Sequence, residues 1–95
     1  MTKREMKDLT LPIVHLNGSG EANLQEWYQE MVEAVRAARL ALCSHSPHGR
    51  DYYLNEGSFE VARREHEDRI EALSQIEKEL SYIWMHVYKN GRKRS

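Results

Sequence analysis

The segment SPHGRDYY, residues 46–53, carries an imidazole, a guanidinium, a carboxylate and two phenols within its last six positions. A guanidinium grips phosphate or carboxylate through paired N–H donors, and tyrosine rings stack on bases and other planar groups. Loops held between rigid elements are also where binding groups concentrate. The segment therefore favours a binding site for a small anionic ligand.

Catalytic and metal chemistry explain the same residues less well. Asp51 or His48 could serve a small hydrolase, but a single carboxylate without a paired acid is a weak basis for catalysis. Cys43 lies at helical spacing from Arg39, next to Leu42, and is better explained as a packing residue than as a nucleophile. His45 and His48 are close in the chain, yet no Cys, His and Asp set has zinc-ligand spacing. We expect no catalytic residue, no metal and no cofactor.

A second candidate for ligand contact is the turn HLNGS at residues 15–19, which precedes the first helical pattern. Free backbone N–H groups and the helix dipole favour an anion at such a place. The turn could also be purely structural, because any capped helix has one. If it binds, His15 and Asn17 are its expected contributors.

The residues before the loop predict an arm, a turn and a helix. Residues 1–10 are polar and are expected to be flexible. Residues 11–16 form a short apolar run that is ended by glycines, which we interpret as an extended arm. Apolar positions at steps of three and four predict a helix over residues 21–44. Its expected N-cap is Ser19 or Gly20.

A seven-residue hydrophobic period predicts a second helix over residues 58–90, after a loop over residues 45–57. Ser58 is its expected N-cap and Asn90-Gly91 its expected end, followed by a basic tail over residues 91–95. One seam position is occupied by Phe59, His66, Leu73, Leu80 and Val87, and the other by Ala62, Arg69, Ile76 and Ile83.

Two helices joined in this way predict an all-α, antiparallel hairpin with a short extended N-terminal arm, in a single domain over residues 11–90. The hairpin would gather cations from both helices at the tip that carries the loop. The expected ligand-binding residues at this tip are Arg39, His48, Arg50, Asp51, Tyr52, Tyr53, His66 and Arg69. The alternative is a structural tip, in which local carboxylates such as Asp51 and Glu65 pair with these bases.

A two-helix hairpin of 95 residues has a thin core. It cannot cover the apolar arm together with the large side chains of Trp27, Met31, Trp84, Met85 and Tyr88. We therefore expect a homo-oligomeric bundle of four or more helices. An antiparallel neighbour would bring its residues 15–19 next to the loop of the first chain, which predicts a site shared between subunits.

The balance of charged residues and the single cysteine indicate which classes of partner and which compartment to expect. Formal net charge is −1, from 14 lysines and arginines against 15 aspartates and glutamates, which argues against a nucleic-acid or membrane-surface binder. The basic residues near both ends are best explained as solvated termini, or else as a tail that binds phosphate or a partner. One cysteine fits a reducing compartment, and neither a membrane span nor a signal peptide is recognisable. We expect a cytoplasmic protein.

The motifs HLNGS and PHGRDYY, each followed by a long helical pattern, resemble those of small proteins found in tailed phages and prophages. The resemblance extends over nearly the whole chain after residue 11 and implies no particular chemistry. In size and hairpin architecture the chain is also similar to phage proteins that sequester nucleotide immune signals, such as those opposing CBASS and Thoeris defence. That similarity implies a sequestering role inside a bacterial host cell.

These expectations combine into a non-enzymatic, oligomeric protein that sequesters a small anionic ligand, such as a cyclic nucleotide or an ADP-ribose derivative. Arg50, with Arg69 or Arg39, would contact phosphates, and the two loop tyrosines would stack on the ring. An alternative from another class is a protein-interaction module, either an inhibitor or an assembly adaptor. It would use an apolar surface around Trp27 and Trp84.

Overall fold

The computed structural model describes residues 5–13 and 20–93, and within them the chain is all-helical. Two long helices, α1 (Glu21–Ser44) and α2 (Ser58–Lys93), pack along each other as an antiparallel hairpin. Short 3-10 turns lie at Met6–Asp8 and Gly49–Asp51. The all-α hairpin predicted from the sequence is confirmed.

The start of α1 follows one of the two caps predicted. Gly20 has an extended backbone, and its carbonyl accepts the first helical hydrogen bond from the Leu24 N–H at 3.0 Å. The residues of α1 that face α2 recur at helical spacing. They are Leu24, Tyr28, Val32, Val35, Arg39 and Leu42.

α2 begins at the predicted residue, but its predicted cap and its far end differ from the structure. Ser58 is the first residue of the helix, and its hydroxyl donates to the Asn55 carbonyl at 2.7 Å, so it does not act as an N-cap acceptor. The preceding Gly57 has a φ of 83°, a conformation that side-chain-bearing residues rarely adopt. The helix also continues through Asn90-Gly91 to Lys93. A glycine costs a helix only about 1 kcal/mol, and no proline follows to stop it.

The inward face of α2 uses the first predicted seam and only part of the second, of which Ala62 and Ile83 are half-buried. Val87, in the first seam, is fully buried, whereas Arg69 and Ile76 of the second seam are exposed. The inward face is completed instead by the column Ile70, Glu77 and Trp84. The apolar stripe of α2 is wider than one partner helix covers, so periodicity alone did not predict which flank would be buried.

The described part of the N-terminal segment contains a 3-10 turn that lies beside α2. Met6 lies in the first 3-10 turn and lines an open cavity of about 600 Å³ together with Tyr82, Met85 and Lys89 of α2. Residues 11–13 have no regular secondary structure, and the rest of the predicted arm and its turn lie outside the described residues.

The hairpin is long and has little interior. Its principal dimensions are 62 × 24 × 17 Å, and its radius of gyration is 18.4 Å, against about 12 Å for a compact chain of this length. Among the described residues only Val32, His66 and Val87 are buried. Within the same ranges, no helix is long and apolar enough to cross a membrane.

Candidate functional site

The hairpin tip, residues 45–57, is held by a series of short turns. Backbone N–H groups of Asp51, Tyr52, Asn55 and Ser58 each donate to the carbonyl three residues earlier, at 3.0 to 3.2 Å. The His48 ring closes the first of these turns, because its Nδ1 accepts from the Arg50 backbone N–H at 3.2 Å. The loop is therefore held in one conformation by hydrogen-bonded turns, and the imidazole of His48 has a structural role within it.

The side chains of the tip divide into anchors and projecting groups. Tyr52 is half-buried and packs on Phe59 with ring centroids 6.3 Å apart. Tyr53 and Leu54 are 77% and 86% exposed. Arg50 and Asp51 are exposed as well, and neither side chain has a partner among the described residues. The structural alternative of a carboxylate-paired tip is therefore not seen at these two residues.

His66 belongs to the helix interface. It is only 8% exposed, and its Nε2 donates to the Leu42 carbonyl at 2.6 Å. The same carbonyl, in the last turn of α1, also accepts from the His45 backbone N–H at 3.3 Å, so His66 supplies a second hydrogen bond at this helix end. In the structure, the polar contact of His66 is therefore with the end of α1.

Arg39 is also engaged away from the tip. Its Nε donates to Glu77 at 2.9 Å, and the Nε of Arg36 donates to the other oxygen of the same carboxylate at 2.9 Å. The Glu77 side chain is only 15% exposed. The hydrogen bonds from Arg39 and then Arg36 hold the pKa of the Glu77 carboxyl below its usual value of 4.5, and the bond to Glu77 raises the pKa of Arg39.

Sequence reasoning missed Glu77. The signal was present, since Glu77 follows Ile70 by seven positions and precedes Trp84 by seven, in a column adjoining the buried seam. A carboxylate in such a column is costly to bury unless it pairs with a cation, which the facing helix can supply. Local carboxylates had been expected to pair with the basic residues, but Arg36 and Arg39 use one that lies 41 and 38 positions away.

The structure thus brings together only part of the predicted site. Residues 48–53 share the tip, while Arg69 is exposed on the outer side of α2 without a partner among the described residues. His15 and Asn17 lie outside the described residues. Cys43, expected to pack, is exposed.

The tip cavity is acidic within a single chain. An open cavity of about 600 Å³ lies beneath the loop, and its charged lining residues are Glu56 and Glu65, with no arginine or lysine. Two carboxylates disfavour an anion by direct repulsion. Arg50 is not part of this lining, so an anion at Arg50 would not occupy this cavity.

A separate groove lies between the two helices. It has a volume of about 360 Å³, and Glu33, Arg36, Trp84 and Met85 are among its lining residues. The Trp84 Nε1–H is buried and has no hydrogen-bond partner among the described residues. Within those residues, no three His, Cys, Asp or Glu side chains come together as a metal site.

Replacing Glu77 by glutamine is expected to lower the thermal midpoint at neutral pH, because both guanidinium groups lose a charged acceptor. A carboxyl whose pKa is lowered by folding stabilises the folded state above its usual pKa of 4.5. That contribution is lost as the pH falls through the lower pKa of the folded state, so the two unfolding curves should converge in strong acid.

Thermal unfolding of wild type and E77Q, measured from neutral pH down to strong acid, checks this expectation. Glu30→Gln is the matched control, since Glu30 is exposed and has no partner among the described residues. Equal shifts in the two variants would contradict a special role for Glu77.

The fold and the tip define a small antiparallel helical hairpin with a side-chain-rich connection. Comparison with protein-family models, with curated proteins and with solved structures gives no match to this chain. The site geometry is therefore the basis for assigning a function.

Proposed function

We propose that the chain is a non-enzymatic protein-interaction module that contacts a partner protein through its hairpin tip. The observation that carries this proposal is the adjacent pair Tyr53 and Leu54, 77% and 86% exposed on a loop held by hydrogen-bonded turns. An exposed tyrosine near a guanidinium that has no partner among the described residues, that of Arg50, is a composition typical of binding hot spots. A pre-ordered loop also loses little entropy on binding.

The partner surface implied by this tip has a small apolar pocket for the two projecting side chains. An acidic group beside that pocket would pair with Arg50. The resemblance to small phage proteins supports an inhibitor or an assembly adaptor, with the partner in the phage particle or in the infected cell.

Site-specific photo-crosslinking in the cells that naturally contain the protein tests this proposal. A photoreactive amino acid at position 53 should yield one discrete adduct with another protein, and Leu54→Ala should weaken that adduct at least about tenfold. The same probe at the exposed position 30 on α1 is the control. Identical adducts from both positions, or adducts only between copies of the chain, would contradict tip recognition.

A second candidate function is sequestration of a small anionic ligand, a cyclic nucleotide or an ADP-ribose derivative. The observation that favours it is the absence of a side-chain partner for Arg50, Asp51 and Arg69 among the described residues. Because the tip cavity of one chain is acidic, this function requires a neighbouring chain to complete the pocket. His15 and Asn17 are the residues proposed for that contribution.

Incubation of the purified protein with nucleotide signals, followed by heating, separates the candidates. Intact nucleotide released on heating supports sequestration, altered nucleotide indicates an enzyme, and no uptake favours the interaction module. If Arg50→Ala captures nucleotide as well as wild type, the tip is not the anion site.

A further inference from the structure

We infer that a second copy of this chain docks on an exposed apolar strip of α1, which we call the Trp27 face. Its members follow one another at steps of four, three, four and three, which keeps them on one side of a helix. They are Trp27, Met31, Ala34, Ala38 and Ala41, all exposed, with Trp27 at 46% and Met31 at 39%.

The Trp27 face lies on the flank of α1 that points away from the groove between the helices. The opposite flank of α1 carries Gln29 and Arg36, which line the groove between the helices together with Met85. Met85 also lines the cavity beneath Met6, so the N-terminal segment lies on that flank. Ile76, 44% exposed, is on the other flank of α2 and extends the Trp27 face across both helices.

The exposed area of the chain is large enough for such an interface. The accessible surface is 7490 Å², whereas a compact chain of 11.2 kDa exposes about 5,700 Å². A standard protein interface buries about 800 Å² from each partner. The accessible surface beyond that of a compact chain is therefore larger than one partner's share of a standard interface. This surface belongs to a hairpin that has very few buried side chains.

The order of residues along the strip specifies a second copy as the occupant. A two-fold axis passing near Ala34 would place Trp27 opposite the partner's Ala41, and Met31 opposite the partner's Ala38. Large side chains at one end of the strip then meet small ones at the other, which is the self-complementarity that a two-fold interface requires. The same pairing of large with small residues allows two helices to approach closely. The product is a four-helix bundle made of two hairpins.

Two neighbouring alanines provide a matched test with the full-length chain. Ala37 and Ala38 are both exposed, but they point about 100° apart around the helix, and only Ala38 is in the Trp27 face. Sedimentation equilibrium should give twice the 11.2 kDa chain mass for wild type and for Ala37→Arg. Ala38→Arg should raise the dimer dissociation constant about 100-fold or more.

A cysteine at the proposed axis gives a second readout that does not depend on that substitution. In a Cys43→Ser background, Ala34→Cys should form a disulfide-linked dimer under mild oxidation, and Ala37→Cys should not. Wild type sedimenting at the mass of one chain, equal masses for the two arginine variants, or equal crosslinking of the two cysteine variants would each overturn the inference. All of these variants leave the tip unchanged, so failure here is distinguishable from failure of tip recognition.

Discussion

Trp84→Ala is expected to lower the free energy of unfolding by about 3 kcal/mol, and Trp84→Phe by less than about 1 kcal/mol. Trp84 lies half-buried on the inward face of α2, and its ring stacks on Tyr88 with centroids 5.5 Å apart and planes 14° apart. Alanine loses this ring area. Phenylalanine keeps an aromatic ring and removes the buried Nε1–H, which has no partner among the described residues.

Denaturant unfolding followed by circular dichroism measures both variants, at one fixed protein concentration because self-association would shift the midpoint. Tyr53→Ala is the control, since that side chain is 77% exposed and its removal should change stability by less than about 0.5 kcal/mol. If Trp84→Phe is as unstable as Trp84→Ala, the indole N–H contributes a hydrogen bond that the described residues do not supply.

His66→Leu is expected to destabilise the protein by about 1 kcal/mol, because it removes the side-chain donor to the Leu42 carbonyl while keeping an apolar side chain in a buried position. His66→Gln should lose less, since its side-chain amide can still donate towards that carbonyl. The difference between the two variants isolates the hydrogen bond from the packing of the ring.

The same unfolding measurement tests this second expectation. His45→Leu is the matched control, because His45 is exposed at the end of the same interface. Equal losses for His66→Leu and His66→Gln would show that ring packing, and not the carbonyl contact, stabilises this end of the hairpin.

Local features of the sequence were enough to predict much of the architecture. The bounds of α1 and the start of α2 follow from hydrophobic steps of three and four and from glycines at Gly20 and Gly57. Both signals act through neighbouring residues, so they need no knowledge of the fold. The far end of α2 was predicted too early, since a glycine without a following proline weakens a helix but does not end it.

The candidate site was predictable only as a segment. Residues 46–53 stand out because their side chains are unusual for a helix connection, and the structure does place 48–53 together at the tip. Arg39 and His66, which were assigned to the same site, each have a partner on the facing helix that the residue types alone do not reveal. Of the two projecting residues, Tyr53 was among the predicted site residues and Leu54 was not, because the type of a residue does not reveal its exposure.

The sequence by itself therefore determined that the chain forms two long helices and that its chemically rich segment connects them. Periodicity and turn residues operate over a few positions and carry that information directly. Only the tertiary structure decided which flank of α2 is buried, and that Arg39 and His66 bind Glu77 and Leu42, across 38 and 24 positions of chain. Such pairings depend on the register between the two helices. The apolar stripe of α2 is wider than one partner helix covers, so the sequence is compatible with more than one register.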